Sequence, residues 1–179
     1  MRVRSLTYLA AAMLISAPLW PQTHDRDPLN DKEVDQLRET AIDPEKRLHL
    51  MVEFTKARMD NVEKLRSDPK AKDRGGQIHD LLEDISSLVD EIDDNAENYS
   101  ERNADLRKPL QEIVQMDSAF QVKLRALRAY MDDPKNTAEA DEYKFAVEDA
   151  TESINQSADS TRKLLDQQNV KFANAKKKK

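Results

Sequence analysis

No cysteine occurs among the 179 residues, and glycine occurs only twice. The first absence excludes a disulfide-stapled mini-protein, a thiolate zinc site, an iron–sulfur cluster and covalent c-type haem. The second excludes a Rossmann or P-loop phosphate cradle, since each needs several glycines on one turn. It also argues against a turn-rich β-sandwich. Aromatic residues make up only 5% of the chain, whereas 36% is charged. A chain of this length holds one domain, or two small ones. A helical protein is what remains.

The formal net charge of −6 averages two populations. Arg2 and Arg4 are the only charges in the first 22 residues, and Lys171 with Lys176, Lys177, Lys178 and Lys179 the only ones in the last nine. Setting aside these seven from the 29 basic residues leaves 22 against 35 acidic ones, so residues 23–170 carry −13. A body this acidic repels phosphate and speaks against a nucleic-acid partner. The basic tail over 173–179 reads first as a solvated terminus. Its functional reading, through Lys176 to Lys179, is a weak contact with an anionic surface, worth about 1 kcal/mol per lysine near a membrane.

Residues 1–20 begin Met-Arg-Val-Arg and continue as an apolar run from Leu6 to Trp20. That is the pattern of a secretory signal peptide. The run is shorter than the roughly 20 residues a permanent membrane-spanning helix requires. Ala17 is the natural cleavage residue, but Pro18 directly after it disfavours cutting, so a retained inner-membrane anchor is the alternative. Export to the periplasm or the exterior of a bacterial cell is the expectation.

Residues 21–43 have the composition of a linker, with a short helix compatible with Lys32 to Ala41. Asp43-Pro44-Glu45 then supplies an N-cap, a proline in the first helical position and an acid in the first turn. Helical periodicity from Leu48 to Leu65 stops at Asp68-Pro69. A second segment opens at Gly75-Gly76 and carries a heptad seam from Ile78 to Tyr99. A third runs from Leu110 to Met131. The last begins at Thr137, read as its N-cap, and has a weak seam of small residues: Tyr143, Val147, Ala150, Ile154, Ala158, Thr161, Leu165 and finally Phe172. Positions 78, 85, 92, 99, 106, 113, 120 and 127 are all apolar, so the register runs through Pro109. Either one long helix is kinked at Pro109, giving three helices, or the chain breaks with Asp105 as an N-cap, giving four. The fold class expected over 44–172 is an all-α, antiparallel helical bundle with coiled-coil-like packing.

Chemistry-bearing residues are few. His49 and Glu53, and likewise His79 and Glu83, are spaced to share a helix face and are the only weak metal candidates. Neither histidine has a glutamate three residues before it, as a ferritin-like di-iron site needs, and antiparallel helices would place the two at opposite ends. Met51, Met59 and Met116 fall at or near the seams, where methionine fills core space more often than it ligates haem. No serine sits on a glycine turn that would expose a nucleophile, and adjacent acids such as Asp93-Asp94 diverge by about 100° on a helix. Asp117 is the acid of interest, because it falls in the seam between Ile113 and Phe120, where it either pairs with a facing cation or reaches solvent from the edge. No catalytic residue, cofactor or small-molecule substrate is indicated. The expected function is that of a non-enzymatic structural or interaction protein of the cell envelope, with an envelope partner or a second copy of itself. The rival is a metal- or haem-binding bundle.

Overall fold

The computed structural model describes residues 26–177, with side chains as far as Ala173. Residues 1–20, expected as a signal segment, and His24, Lys178 and Lys179 lie outside the described residues. Among the described residues five helices follow one another: α1 Asp31–Glu39, α2 Pro44–Ser67, α3 Arg74–Glu101, α4 Arg107–Met131 and α5 Thr137–Lys177. The described residues contain no strand. None of these helices is long and apolar enough to cross a membrane.

Local chemistry sets most of the boundaries. Asp43 caps α2 by accepting the Lys46 amide at 3.2 Å, with Pro44 in the first turn, and the helix ends at Asp68 ahead of Pro69. At the start of α1, Asn30 Oδ1 accepts from the Glu33 amide at 3.1 Å while the Asn30 amide donates to Glu33 Oε2 at 3.0 Å. This reciprocal pair is a capping box. Two expected caps differ. Thr137 is already inside α5, and its hydroxyl donates to the Pro134 carbonyl at 3.3 Å. Asp105 accepts from the Arg107 amide at 3.3 Å, but Leu106 occupies the cap position.

The single helix kinked at Pro109 does not form. The chain breaks over residues 102–106, Asn103 takes a left-handed φ of 65°, and Pro109 lies in the first turn of α4, where a missing N–H costs little. The heptad spacing survives because Leu106 is fully buried within the break itself. It records which residues enter the core, whether or not the helix is continuous.

Packed pairs are α2 with α3, α4 with α5, α3 with α5, α2 with α4, and α1 with α2. Arg47 lies 3.6 Å from Glu91 and Arg58 lies 4.0 Å from Asp84, so α2 and α3 run antiparallel. Gln121 Nε2 meets Asn155 at 3.0 Å and the Leu106 amide meets Gln168 at 3.2 Å, so α4 and α5 do too. Between these two hairpins the neighbours are parallel. His49 meets Glu112 and Lys123 meets Asp60 across α2 and α4; Arg74 meets Glu139 and Gln168 meets Ser100 across α3 and α5. Antiparallel packing therefore holds within each hairpin, and the hairpins lie side by side in the same sense. The 102–106 connection crosses the end between helices that are not packed neighbours.

The core is continuous across both hairpins, with Leu48, Met51, Ile78, Leu82, Ile85, Leu110, Ile113 and Tyr143 among its fully buried members. Each such aliphatic side chain contributes roughly 1.5–3 kcal/mol. The three core methionines, Met51, Met59 and Met116, are buried members of this same cluster.

Residues ahead of α2 are pinned by a half-buried ionic cluster. Arg58 on α2 makes a two-pronged contact with Glu33 of α1 and donates to the Pro28 carbonyl at 2.7 Å. Arg26 reaches Asp84 on α3 at 2.6 Å. Leu37 of α1 is buried against the core. The later part of the segment with linker composition is thus docked on the first hairpin.

Replacing Ile85 with Asp should cost several kcal/mol in urea unfolding, because it buries a charge with no partner. Arg58→Ala should cost about 2 kcal/mol, since it strands Glu33. It should also raise amide hydrogen exchange selectively over α1, with the four long helices protected as before.

Candidate functional site

The small seam of α5 has a local consequence. Ala146, Ala150, Ser157, Ala158 and Thr161 all face inward, and α5 makes its most extensive contact with α3. Small side chains let helix backbones approach closely, and the polar groups they carry then meet in the interior. Asp93 of α3 is the focus of that meeting. Its Oδ1 accepts from Ser157 Oγ at 2.8 Å and Thr161 Oγ1 at 3.4 Å, and its Oδ2 accepts from Ser160 Oγ at 2.9 Å. From α4, Asp117 brings Oδ2 to 3.4 Å from the same Ser157 hydroxyl. Asp117 is 0% exposed, and its Oδ1 has no hydrogen-bond partner.

A serine hydroxyl carries one proton, so Ser157 cannot donate to both carboxylates at once. Its shorter contact serves Asp93. The Asp117 carboxyl is complementary when protonated, donating to the Ser157 oxygen while Ser157 donates onward. Burial pushes Asp117 up to about 7, with the Asp93 charge adding to the rise and Ser157 and Arg162 opposing it. Asp93 is raised as well, again chiefly by burial, and is held back by its three hydroxyl donors. Neither acid has a guanidinium or ammonium in direct contact among the described ion pairs.

A cleft of about 360 Å³ opens beside the cluster, lined in part by Asp93, Asp94, Glu97, Ser160, Thr161 and Leu164. Asp93 is therefore the link between solvent and the sealed Asp117. In chemical terms the site offers carboxylate and hydroxyl oxygens and a proton. Lys163 and Gln167 supply the nitrogen groups that line the cleft, and no histidine is among its lining residues.

The histidines stand elsewhere. His49 is exposed on α2, with Nδ1 2.9 Å from Glu112 of α4, while Glu53 pairs with Lys56 at 2.9 Å. His79 lies 3.7 Å from both Glu83 and Asp80, and these three offer ligand atoms close enough together for a metal ion. Arg26 competes there, since it donates to the Asp80 carbonyl at 2.6 Å and lies 3.9 Å from the Asp80 carboxylate. Antiparallel α2 and α3 keep the two histidines at opposite ends of the first hairpin. At the other end of the chain, Lys176 and Lys177 belong to α5, and Phe172 sits 5.2 Å under the Arg107 guanidinium.

No family model, curated protein or solved structure matches this chain. Its site has to be read from its own geometry. Sequence spacing singled out Asp117 but offered no way to see Asp93 as its neighbour, because the two are joined only through Ser157 on a third helix. The signal that was available was the run of small hydroxyl residues in the α5 seam.

Folding raises the Asp117 pKa above the ordinary carboxylate value of 3.8, so the native state holds the proton more tightly than the unfolded chain. The sign follows from linkage: this contribution to stability is complete below about pH 4 and is lost as pH rises through about 7. Asp117→Asn should remove that slope. Relative to the parent, the variant should gain stability at pH 8, by roughly 2 kcal/mol, and gain little or nothing at pH 4. Urea unfolding at the two pH values measures it.

Proposed function

We propose that the chain is a non-enzymatic, exported structural or interaction protein of a bacterial cell envelope, its four long helices acting as one bundle of two antiparallel hairpins. Export rests on the basic-then-apolar pattern of residues 1–20, with inner-membrane retention through that segment as the alternative. The non-enzymatic reading rests on one observation above the rest: the charged residues that bridge helices do so in pairs that fix packing. Arg58 with Glu33, Arg74 with Glu139, Lys108 with Glu45 and Lys123 with Asp60 and Glu63 each join two different helices. Such groups are committed to holding register and are not poised over a reaction centre. The side faces of α4 and α5 remain for an envelope partner or a second copy. The lysines at the end of α5 add attraction to an anionic surface, a force screened within about 8 Å at physiological ionic strength.

A metal- or haem-binding role is the second reading, favoured by the grouping of His79, Asp80 and Glu83. The burial of Met51, Met59 and Met116 among core aliphatics counts against haem.

Fractionation of the native host with N-terminal sequencing tests the first reading. The chain should be recovered outside the cytoplasm and shortened by about the signal length, or intact in the membrane fraction if the segment is retained. Intact Met1 in the cytosol would end it. Elemental analysis of the same preparation separates the second reading, since a stoichiometric metal lost in His79→Ala would favour it.

A further inference from the structure

We propose that the Asp93–Asp117 cluster is a buried binding site for a hard divalent cation, of which Ca2+ is the best match. The observation that carries this is the unsatisfied oxygen of Asp117. A sealed carboxylate oxygen without a donor is costly in a native interior, and a cation is one of the few partners that satisfies it without another hydrogen-bond donor. The polar atoms that meet in the cluster are of one kind. Asp117 contributes its carboxylate, Asp93 contributes a second, and the Ser157 and Thr161 hydroxyls, whose protons go to Asp93, keep their lone pairs. Ser160 holds the outer oxygen of Asp93 at 2.9 Å and so orients that carboxylate toward α5. Two carboxylates and two hydroxyls, with no nitrogen or sulfur, select a hard ion over zinc or copper. Ca2+ tolerates irregular oxygen shells and can complete them with water from the cleft beside Asp93, whereas Mg2+ demands near-octahedral geometry at shorter distances.

Charge balance points the same way. The two acids come from α3 and α4, and the cation acting on Asp117 from α5, Arg162, does so without a direct contact. Above neutrality the pair would place two negative charges in one interior site, a state that either a proton or a cation must relieve. The cleft, lined by Asp93, Asp94 and Glu97 with Lys163 as the one cation among them, supplies an entry path that is acidic on balance. Because the proton and the cation use the same oxygens, they compete. This site is independent of the envelope reading and of the His79 group at the far end of α3.

Isothermal titration of the purified, chelator-treated chain with CaCl2 and with MgCl2 at pH 8 is the test, together with thermal unfolding in each ion. One Ca2+ per chain is expected, with Mg2+ weaker, and a rise in Tm of about 5 °C at a hundredfold excess over Kd. Asp117→Asn should abolish binding while retaining the helical circular dichroism signal. Ser157→Ala, which leaves both carboxylates in place, should weaken binding about tenfold and serves if the first variant fails to fold. A parent chain whose heat and Tm respond to neither ion would overturn the proposal and leave the two acids sharing a proton. Binding that survives both variants would overturn it too, by assigning the ion to surface acids such as Asp80 and Glu83.

Discussion

Close contact between α3 and α5 depends on a core seam in α5 that has alanine, serine or threonine at most of its positions, and the rest of the molecule is arranged around that constraint. Larger residues appear only at Tyr143, Val147 and Ile154 and toward the C-terminal end. A helix with so little side-chain volume cannot fill a core by itself. It must be met by partners with long side chains, and α3 and α4 supply isoleucine, leucine, phenylalanine and methionine at the facing positions. The pairing is of large against small, which is how helix layers interdigitate at native density. Serine and threonine in such a seam also carry hydroxyls into the interior, and these need acceptors. Asp93 provides them.

Two polar clusters result, and they solve the same electrostatic problem differently. Around Arg58 the buried carboxylates are answered by guanidinium groups, so charge is cancelled by charge. Around Asp93 they are answered by hydroxyls, which stabilise one carboxylate and leave the second short of donors. Asp84 shows that the distinction is one of degree, because burial raises it to about 6 even with Arg26 and Arg58 nearby. The first cluster fastens the segment before α2 to the first hairpin. The second joins three helices at one point.

Much of this was readable from the chain because apolar periodicity and capping chemistry are local. Asp43-Pro44, Asp68-Pro69 and the seam residues of α3 follow from rules that need only a few neighbours. What could not be read depends on three-dimensional neighbours. Arg58 and Asp84 look like solvated helix-face charges in the sequence, and both are buried because α1 and Arg26 fold over them. The parallel pairing of α2 with α4 leaves no trace in periodicity, since a helix shows the same stripe whichever way its neighbour runs. The break before α4 was hidden for a related reason: Leu106 keeps the heptad count while lying outside any helix.

The side-by-side arrangement of the two hairpins also bears on how the chain assembles. Contacts between them join residues at nearly constant sequence separation: 63 for Glu45 with Lys108 and for His49 with Glu112, 65 for Arg74 with Glu139, 68 for Ser100 with Gln168. Loop-closure entropy depends on that separation, and only logarithmically. Once any one of these contacts forms, the others are brought within reach at little further entropic cost, from one end of the helices to the other. Docking of the hairpins is then a single closure event, so the long-range half of the structure should be gained or lost as a unit.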